Sequence, residues 1–254
     1  MIKLSVILLT FNEERNIKRC IESVLPVADE IIVVDSFSTD NTAAICSKYA
    51  VRFIENPFAG YIEQKNFALS LTSYNYVLSL DADEALSEEL INSILEAKQN
   101  WDQDGYLMNR LSNYCGKWIH HSGWYPDRKL RLFDSRKGRW GGINPHDKFM
   151  LDKNSKTGFL KGDLFHFSYY SFEEHEAQVE KFAEIASRSL LVKGVKSNPF
   201  KLVYKPVARF LKTYIINRGF LDGRAGFVIA KMTAKASYLR YLKLYKLQSK
   251  NESI

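Results

Sequence analysis

The stretch YNYVLSLDADE, Tyr74–Glu84, decides the fold. It opens as an apolar run of strand length, typical of a strand covered on both faces, and ends at once in the carboxylates Asp81, Asp83 and Glu84. Side chains two apart in an extended chain face the same side, so Asp81 and Asp83 can present their oxygens together. Such a pair resists ionisation unless a cation lies nearby, and a divalent cation that also binds a diphosphate would relieve the repulsion.

The alternative interpretation of DADEALSEEL is an acidic helix entrance that complements a helix dipole. We interpret Glu84, Glu88 and Glu89 in this way. Asp81 and Asp83 differ, because other polar strand ends are predicted to lie beside them.

The first hundred residues alternate strand patterns with helix patterns. The predicted strands are Lys3–Thr10, Glu30–Asp35, Val51–Glu55 and Tyr76–Asp81, and the predicted helices are Glu14–Val24, Thr39–Tyr49, Tyr61–Leu71 and Glu88–Asn100. Short right-handed crossovers then give a doubly wound, mostly parallel α/β sheet, in which ligands bind beyond the carboxyl ends of the strands. The polar residues at those ends predict a site there.

Beyond residue 100 the pattern changes. Strands are predicted at Gly105–Asn113, Lys129–Phe133 and His146–Leu151, followed by a helix at Phe172–Val192 and two more helices separated near Gly219. Neither a G-x-G-x-x-G after the first strand nor a G-x-x-x-x-G-K-[ST] occurs, which argues against dinucleotide cofactors and P-loop chemistry. Metal-assisted chemistry on a phosphate or diphosphate remains.

The net charge of +7 is unevenly distributed along the 254 residues. Residues 193–250 contain 14 Lys and Arg but one acidic residue, Asp222, whereas the rest of the chain contains 22 basic and 28 acidic residues. An amphipathic helix pair on an anionic membrane surface explains the mixture of basic and apolar residues, while helices with a solvated basic face explain part of it. Single-stranded nucleic acid ranks lower as a partner, because nothing resembles a nucleic-acid module.

Targeting signals are not recognisable in the sequence. Met1–Thr10 is too short for a signal peptide, no run approaches the roughly 18 apolar residues of a spanning helix, and the three cysteines lack paired spacing. We therefore expect a cytoplasmic protein.

Several motifs in order resemble glycosyltransferase family 2. They are LSVILLTFNEERNIKRCIESV, DEIIVVDSFSTDNT, FAGYIEQKNFAL and VLSLDADE, and the later HHSGWYPDRKLRLF, PHDKF, LFHFSYYSFEEH and RFLKTYIINRGFLDGRAGF resemble its lipopolysaccharide inner-core glucosyltransferase branch. The resemblance implies a GT-A fold, a nucleotide-diphosphate sugar donor, Mg²⁺ or Mn²⁺, and inversion at the anomeric carbon. It also implies a UDP-sugar, a lipid-linked glycan acceptor and a peripheral position on the cytoplasmic face of the inner membrane.

The resemblance also assigns regions and residues. Residues 1–192 would be the catalytic domain, with a nucleotide-binding half (1–100) and an acceptor half (101–192), and 193–254 the basic membrane-association region. The nucleotide-sugar would contact Thr10, Asn12, Glu13, Asp35, Ser36, Lys65, Asn66 and Asp81. Asp83 would ligate the metal, and Asp81 would contact either the ribose or the metal with its water shell. His166 is either a further metal ligand or a buried core histidine. In RKLRLF, Lys129 and Arg131 share one face, where such charges are usually solvated, whereas Arg128 could reach a phosphate of the nucleotide-sugar. His121 and Trp124, with His120, would contact the acceptor unless aromatic packing explains Trp124.

An acceptor hydroxyl must lose its proton as it attacks, so a carboxylate base is needed. Asp147 in PHDKF lies where the family places its base, and Asp127 in GWYPDRK lies among aromatic residues suited to a sugar. We favour Asp147, whose alternative role is a turn residue paired with Lys148. One departure from the family is visible, since its common DDGSTD stands here as DSFSTD, which leaves the loop conformation open.

Two other functions remain open. A sugar-phosphate nucleotidyltransferase shares the sheet and the carboxylates, although TFNEERN is not its glycine-rich loop. A catalytically inactive, membrane-attached sugar-nucleotide-binding protein is the other.

Overall fold

The computed structural model describes residues 1–143 and 146–251. Its strands are β1 (Leu4–Thr10), β2 (Glu30–Asp35), β3 (Arg52–Glu55), β4 (Tyr76–Asp81), β5 (Glu84–Leu86), β6 (Gly105–Tyr114), β7 (Lys117–Trp118), β8 (Asp127–Asp134), β9 (Gly138–Ile143), β10 (His146–Leu151) and β11 (Thr157–Tyr169). Its helices are α1 (Ile17–Val24), α2 (Thr42–Cys46), α3 (Tyr61–Ser70), α4 (Glu88–Gln99), α5 (Phe172–Val192), α6 (Pro199–Leu211) and α7 (Gly223–Asn251). A π-helical segment, Lys212–Ile216, and a 3₁₀ turn, Gly219–Asp222, lie between α6 and α7.

The sheet is mixed. Its order is β3-β2-β1-β4-β8-β6-β11-β5, with β7 beside β6. Strand β1 pairs in parallel with both β2 and β4, and β2 pairs in parallel with β3. Strand β8 then pairs antiparallel with β4. The predicted α/β fold with a largely parallel central sheet is confirmed, and antiparallel strands extend it on one side.

Alternating residues of the central strands supply two apolar cores. Val6 and Leu8 of β1 pack with Ile17 and Ile21 of α1 on one face of the sheet. Ile7 of β1 belongs to a second cluster on the other face. All five side chains are fully buried, which stabilises the fold by about 1.5–3 kcal/mol for each large aliphatic side chain. This burial on both faces explains why the strands read as continuous apolar runs.

The chain divides into two compact units, with boundaries that differ from the predicted regions. The first unit comprises Met1–Arg110 and Asp127–Phe167, and the second comprises Leu111–Pro126 and the segment from Ser168 onward. The segment Leu111–Pro126 therefore belongs to the same unit as the C-terminal helices. The sequence pattern did not indicate this grouping. In the second unit, Tyr114, Ile119, Ala225 and Ile229 form a separate apolar cluster.

The predicted starts of α3, α4 and α5 are confirmed, whereas α1 and α2 each begin three residues later than predicted. Helix α1 begins at Ile17 rather than Glu14, because the carbonyl of Glu13 first closes a turn with Asn16. Helix α5 spans Phe172–Val192 as predicted, and the side chain of Ser171 caps it by accepting from the amide of Glu174. Within residues 1–143 and 146–251, the structure contains no helix with the length and apolarity needed to cross a lipid bilayer.

Strand β11 bends at Gly162 over the start of α4. Gly162 has φ of +87°, and a Cβ there would lie 2.4 Å from the amide nitrogen of Leu90. The amide of Asp163 also donates to the hydroxyl of Ser87, which caps α4. This close approach carries β11 onward to its pairing with β5, where His166 lies opposite Glu84.

We expect Gly162→Ala to lower the free energy of unfolding by about 2–5 kcal/mol, because the methyl group meets backbone atoms and the left-handed conformation disfavours alanine. Urea denaturation measures this. Gly116→Ala is the matched control, since Gly116 has φ of +86° but no neighbouring atom within 4 Å of the added Cβ. The control should lose about 1 kcal/mol, and equal losses in both variants would contradict the close-approach explanation.

Candidate active site

Polar residues meet at the carboxyl ends of three adjacent strands. In the register of the sheet, Thr10 at the end of β1 lies opposite Asp35 at the end of β2. On the other side of β1, Leu9 lies opposite Asp81 at the end of β4. The chain changes direction across the sheet between β1 and β4, and this is where open α/β sheets bind ligands. The predicted convergence of these strand ends is present in the structure.

The loops after β1 and β2 are joined by hydrogen bonds. The amide of Asn12 donates to the Ser38 hydroxyl at 2.8 Å, and the side-chain oxygen of Asn12 accepts from the amide of Thr39 at 2.8 Å. Asp35 is 1% exposed and accepts from both the amide and the hydroxyl of Ser38, at 2.6 and 2.5 Å. Asp35 thus builds the turn, and its contact with a nucleobase stays a prediction.

Asp81 is the centre of an ion-pair network. One of its oxygens lies 2.6 Å from the Arg131 guanidinium, and the other lies 3.1 Å from the ammonium of Lys65. Burial alone would raise the pKa of Asp81, but the charges of Arg131 and Lys65 outweigh it and hold that pKa well below the usual range. Both oxygens of Asp81 thus face cations, and its contact with a ribose, or with a metal and its water shell, stays a prediction.

Lys65 extends the network towards Asp147. Its ammonium lies 2.7 Å from an oxygen of Asp147, whose side chain is 11% exposed, and 4.6 Å from the centroid of the Trp140 ring. The neighbouring Asn66 uses its amide differently, since it exchanges two hydrogen bonds of 3.1 Å with the backbone of Trp140. Asn66 therefore anchors β9 in this structure, and its contact with the nucleotide stays a prediction.

Arg131 extends the network in the opposite direction. It contacts Glu84 at 2.9 Å, Glu84 contacts Arg110 at 3.3 Å, and Arg110 contacts Asp127 at 2.7 Å. Lys129 lies 3.1 Å from the other oxygen of Asp127. Alternating charges thus connect Asp147 with Asp127, the two residues predicted as candidates for the base.

Sequence reasoning missed three members of this network. Glu84 was interpreted as a helix-entry residue, which is wrong, because it begins β5 and is 1% exposed. Arg131 was interpreted as solvated, which is also wrong, because it is 5% exposed. Arg110 carried no signal of its own. The spacing of Asp127, Lys129 and Arg131 on one face of β8 was the available signal, but only burial distinguishes a paired charge from a solvated one.

Asp83 and His166 form the second feature of the site. The Nε2 atom of His166 lies 3.2 Å from a carboxylate oxygen of Asp83, and the amide of Phe167 donates to the Asp83 carbonyl. The described residues contain no cluster of three or more His, Cys, Asp or Glu side chains able to hold a metal. A carboxylate and an imidazole are nevertheless a suitable pair of ligands for Mg²⁺ or Mn²⁺ when a diphosphate supplies further oxygens.

Glu13 adds a third acidic group near this pair. Burial raises the pKa of Glu13 to about 7, a hydrogen bond from Asn16 opposes the shift, and the charges of Asp83, Asp40 and Asp81 add to it. Glu13 therefore keeps its proton to a higher pH than an exposed carboxyl group does.

The match to known proteins agrees with this geometry. The sequence profile described as Glycosyl transferase family 2 matches residues 5–174. The chain belongs to glycosyl transferase family 2. It is therefore a glycosyltransferase by family, and the resemblance identified from the ordered motifs is confirmed.

Two relatives match along nearly their whole length. An uncharacterized glycosyltransferase of Rickettsia typhi is 33% identical over 264 residues, which cover 100% of this chain and 90% of that protein. The lipopolysaccharide core biosynthesis glycosyltransferase LpsC of Rhizobium meliloti is 30% identical over 250 residues, which cover 95% of this chain and 92% of LpsC. The crystal structure of Staphylococcus aureus TarS superimposes with a TM-score of 0.50 at 16% identity, covering 94% of this chain and 55% of TarS, and shows the fold alone.

The remaining predicted site residues of this glycosyltransferase have structural partners. Ser36 accepts a hydrogen bond from Gln64 at 3.1 Å. Arg128 lies with its guanidinium 5.6 Å from the centroid of the Phe159 ring. Its contact with a phosphate stays a prediction.

The predicted acceptor residues lie in the second unit. The Nδ1 atom of His121 lies 3.1 Å from the carboxylate of Asp222, which also accepts from the amides of His120 and His121. The Trp124 ring packs edge-on against Tyr114, with centroids 5.6 Å apart. Packing thus accounts for Trp124, and acceptor contacts by these residues stay predictions.

We expect the stability of the glycosyltransferase to depend on pH through Glu13. The folded chain binds this proton more tightly than the unfolded chain, so stability is lost as pH rises from about 4.5 to about 7. Relative to Glu13→Gln, the wild type should lose at most about 3 kcal/mol over this range, which urea denaturation at several pH values measures. The control Glu89→Gln changes an exposed carboxylate and should stay within about 0.5 kcal/mol of wild type. Parallel curves for wild type and Glu13→Gln would contradict the shift.

Proposed function

We propose that this glycosyltransferase transfers a hexose, with inversion, from a UDP-sugar to a lipid-linked glycan acceptor in lipopolysaccharide or cell-envelope biosynthesis. The observation that carries the proposal is the pairing of Asp81 with buried cations at the end of β4, beside Asp83 and His166. The similarity to LpsC, a lipopolysaccharide core glycosyltransferase, supports the acceptor class.

Asp83 and His166 would hold Mg²⁺ or Mn²⁺ in this proposal. The ion would neutralise charge on the departing nucleoside diphosphate. The ammonium of Lys65, which is 3% exposed, lies between Asp81 and Asp147 and supplies a fixed positive charge to the same region. A positive charge fixed in place before the reaction stabilises developing negative charge without reorganisation.

Asp147 is the proposed base. Its carboxylate would take the proton of the acceptor hydroxyl while that oxygen forms a bond to the anomeric carbon. The bond from this carbon to the phosphate oxygen breaks, and its electron pair leaves with the diphosphate. Asp147 is 11% exposed on its side chain and is linked through one lysine to Asp81, whereas Asp127 is 32% exposed and is paired with Arg110 and Lys129.

A nucleotidyltransferase is the alternative enzyme. It would consume a sugar phosphate and a nucleoside triphosphate and release pyrophosphate, whereas the proposed reaction releases a nucleoside diphosphate. An inactive sugar-nucleotide-binding protein would release neither. Product analysis distinguishes the three.

An anionic membrane surface is the proposed partner of the second unit. Helix α6 contains no buried residue, and Phe200, Val203, Val207 and Leu211 are 72, 67, 54 and 49% exposed. Their spacing of three, four and four residues places them along one side of the helix. The same helical spacing places basic residues on the other side of the helix, namely Lys201, Lys205, Arg209 and Lys212.

Exposed apolar side chains flanked by cations suit the boundary between lipid headgroups and acyl chains. They suit single-stranded nucleic acid less well, because their aliphatic members offer no stacking surface. The proposed location is the cytoplasmic face of the inner membrane, with the protein bound peripherally.

We expect Asp147→Asn to lower turnover by about 10²–10⁴-fold, because the amide cannot accept the hydroxyl proton. Affinity for UDP-glucose should change less than about threefold. Release of UDP, measured with acceptor-bearing lipopolysaccharide extract and Mg²⁺, reports turnover, and calorimetry reports donor binding. Asp127→Asn is the matched control and should retain most activity. The reverse pattern would assign the base to Asp127 instead.

We expect Val203→Asp to reduce binding to vesicles that contain phosphatidylglycerol by about tenfold or more, since it removes an apolar contact and adds a repelled charge. Co-sedimentation measures the bound fraction. Val192→Asp is the control, because Val192 is 89% exposed at the end of α5, outside the apolar stripe. Equal effects of both changes, or wild-type protein that stays in the supernatant, would contradict the membrane proposal.

A further inference from the structure

Phe37 has a backbone conformation that a phenylalanine rarely adopts. Its φ is +61°, in the left-handed region where a bulky side chain is an outlier. This conformation is strained for a residue with a Cβ, and glycine would adopt it without that strain. Phe37 therefore occupies a turn suited to glycine despite its bulky side chain.

The surrounding loop imposes this conformation. The side chain of Asp35 accepts two hydrogen bonds from Ser38, and the amide of Ser36 donates to the Thr10 carbonyl at 3.0 Å. Asn12 adds bonds to Ser38 and Thr39 from the neighbouring loop. These bonds fix the residues on both sides of Phe37. The turn would therefore form equally well, and with less strain, around glycine.

Burial does not compensate for the strain. The Phe37 side chain is 50% exposed, and it does not belong to either apolar cluster formed by the described residues around β1 and β2. A strained backbone that presents an exposed aromatic ring is the kind of feature that persists at ligand sites. Neither folding nor packing accounts for a phenylalanine at this position.

The position of Phe37 indicates the chemistry of its ligand. Asp81, with its paired cations, and Asp83 lie at the end of β4, and Phe37 follows the end of β2, on the opposite side of β1. A ligand bound across these strand ends would contact the charged groups with one end and the aromatic ring with the other. A nucleoside diphosphate has this polarity, with its phosphates at one end and a flat heterocycle at the other.

We infer that the Phe37 ring stacks on the base of the nucleoside diphosphate, so that it is a binding residue for the donor. The inference rests on the proposed function. It explains why a strained, exposed phenylalanine occupies this turn, because base stacking on an aromatic side chain contributes binding energy that the folded protein alone does not use.

The test compares stability with affinity in the same variant. Phe37→Gly should raise Tm by about 2–4 °C, because the strain is removed. It should weaken binding of UDP with Mg²⁺ by about tenfold, because the stacking surface is lost. Differential scanning calorimetry and isothermal titration calorimetry on the full chain measure these two quantities. Phe37→Trp keeps an aromatic ring and should retain UDP affinity within about threefold.

Inorganic pyrophosphate is the control ligand, because it has no base. Its affinity should be the same for wild type and Phe37→Gly. Equal loss of UDP and pyrophosphate binding, unchanged UDP binding, or a fall in Tm would overturn the inference. Reduced vesicle binding with unchanged UDP affinity would assign the ring to a membrane and overturn it as well. If wild-type protein binds UDP and only the Phe37 effect is missing, the proposed function stands, whereas wild-type protein that binds no nucleoside diphosphate would overturn both.

Discussion

The double ion pair of Asp81 with Lys65 and Arg131 is the interaction on which the site depends. Lys65 and Arg131 have nearly no exposure, and a buried charge without its partner costs several kcal/mol. The folded protein therefore loses stability if any one of these three residues is missing from its place. Lys65 comes from α3, Asp81 from the end of β4 and Arg131 from β8, so this constraint links the parallel half of the sheet to the first antiparallel strand. Folding of the sheet therefore also assembles the site.

The network also gives the two candidate bases different surroundings. Among the residues that the structure describes, Asp147 faces one lysine and is nearly enclosed, whereas Asp127 lies between Arg110 and Lys129 and is more exposed. Two carboxylates of the same chemistry thus differ in the number of cations that hold them. A carboxylate has to weaken its ion pairs before it accepts a proton. This costs less free energy when one cation is paired with it than when two are. The difference between the candidates lies in their partners and not in their own chemistry.

The end of β4 and the loop after β2 differ in character, the first being charged and the second strained. At the end of β4 the carboxylates of Asp81 and Asp83 face Lys65, Arg131 and His166, and their positions follow from electrostatics. At β2 the loop is held by hydrogen bonds from Ser38 to the carboxylate of Asp35, which leaves Phe37 in a left-handed conformation with its ring exposed. Each part is suited to one half of a nucleoside diphosphate. The protein gives up some stability at Phe37, which is common where a surface serves a ligand.

The sequence by itself determined the parallel half of the fold and the convergence of Thr10, Asp35 and Asp81, because apolar runs of strand length and polar strand ends are local patterns. Its ordered motifs also determined the family. Only the tertiary structure decided which charges are buried and paired. Arg131 and Glu84 carry no local sign of burial, and the two cations that pair with Asp81 come from distant segments. Strands β5 and β11 were missed for the same reason, since their pairing joins residues about 80 positions apart, as between Glu84 and His166. Local pattern reports what a segment can form, whereas pairing between distant segments depends on the free energy of the whole assembled sheet.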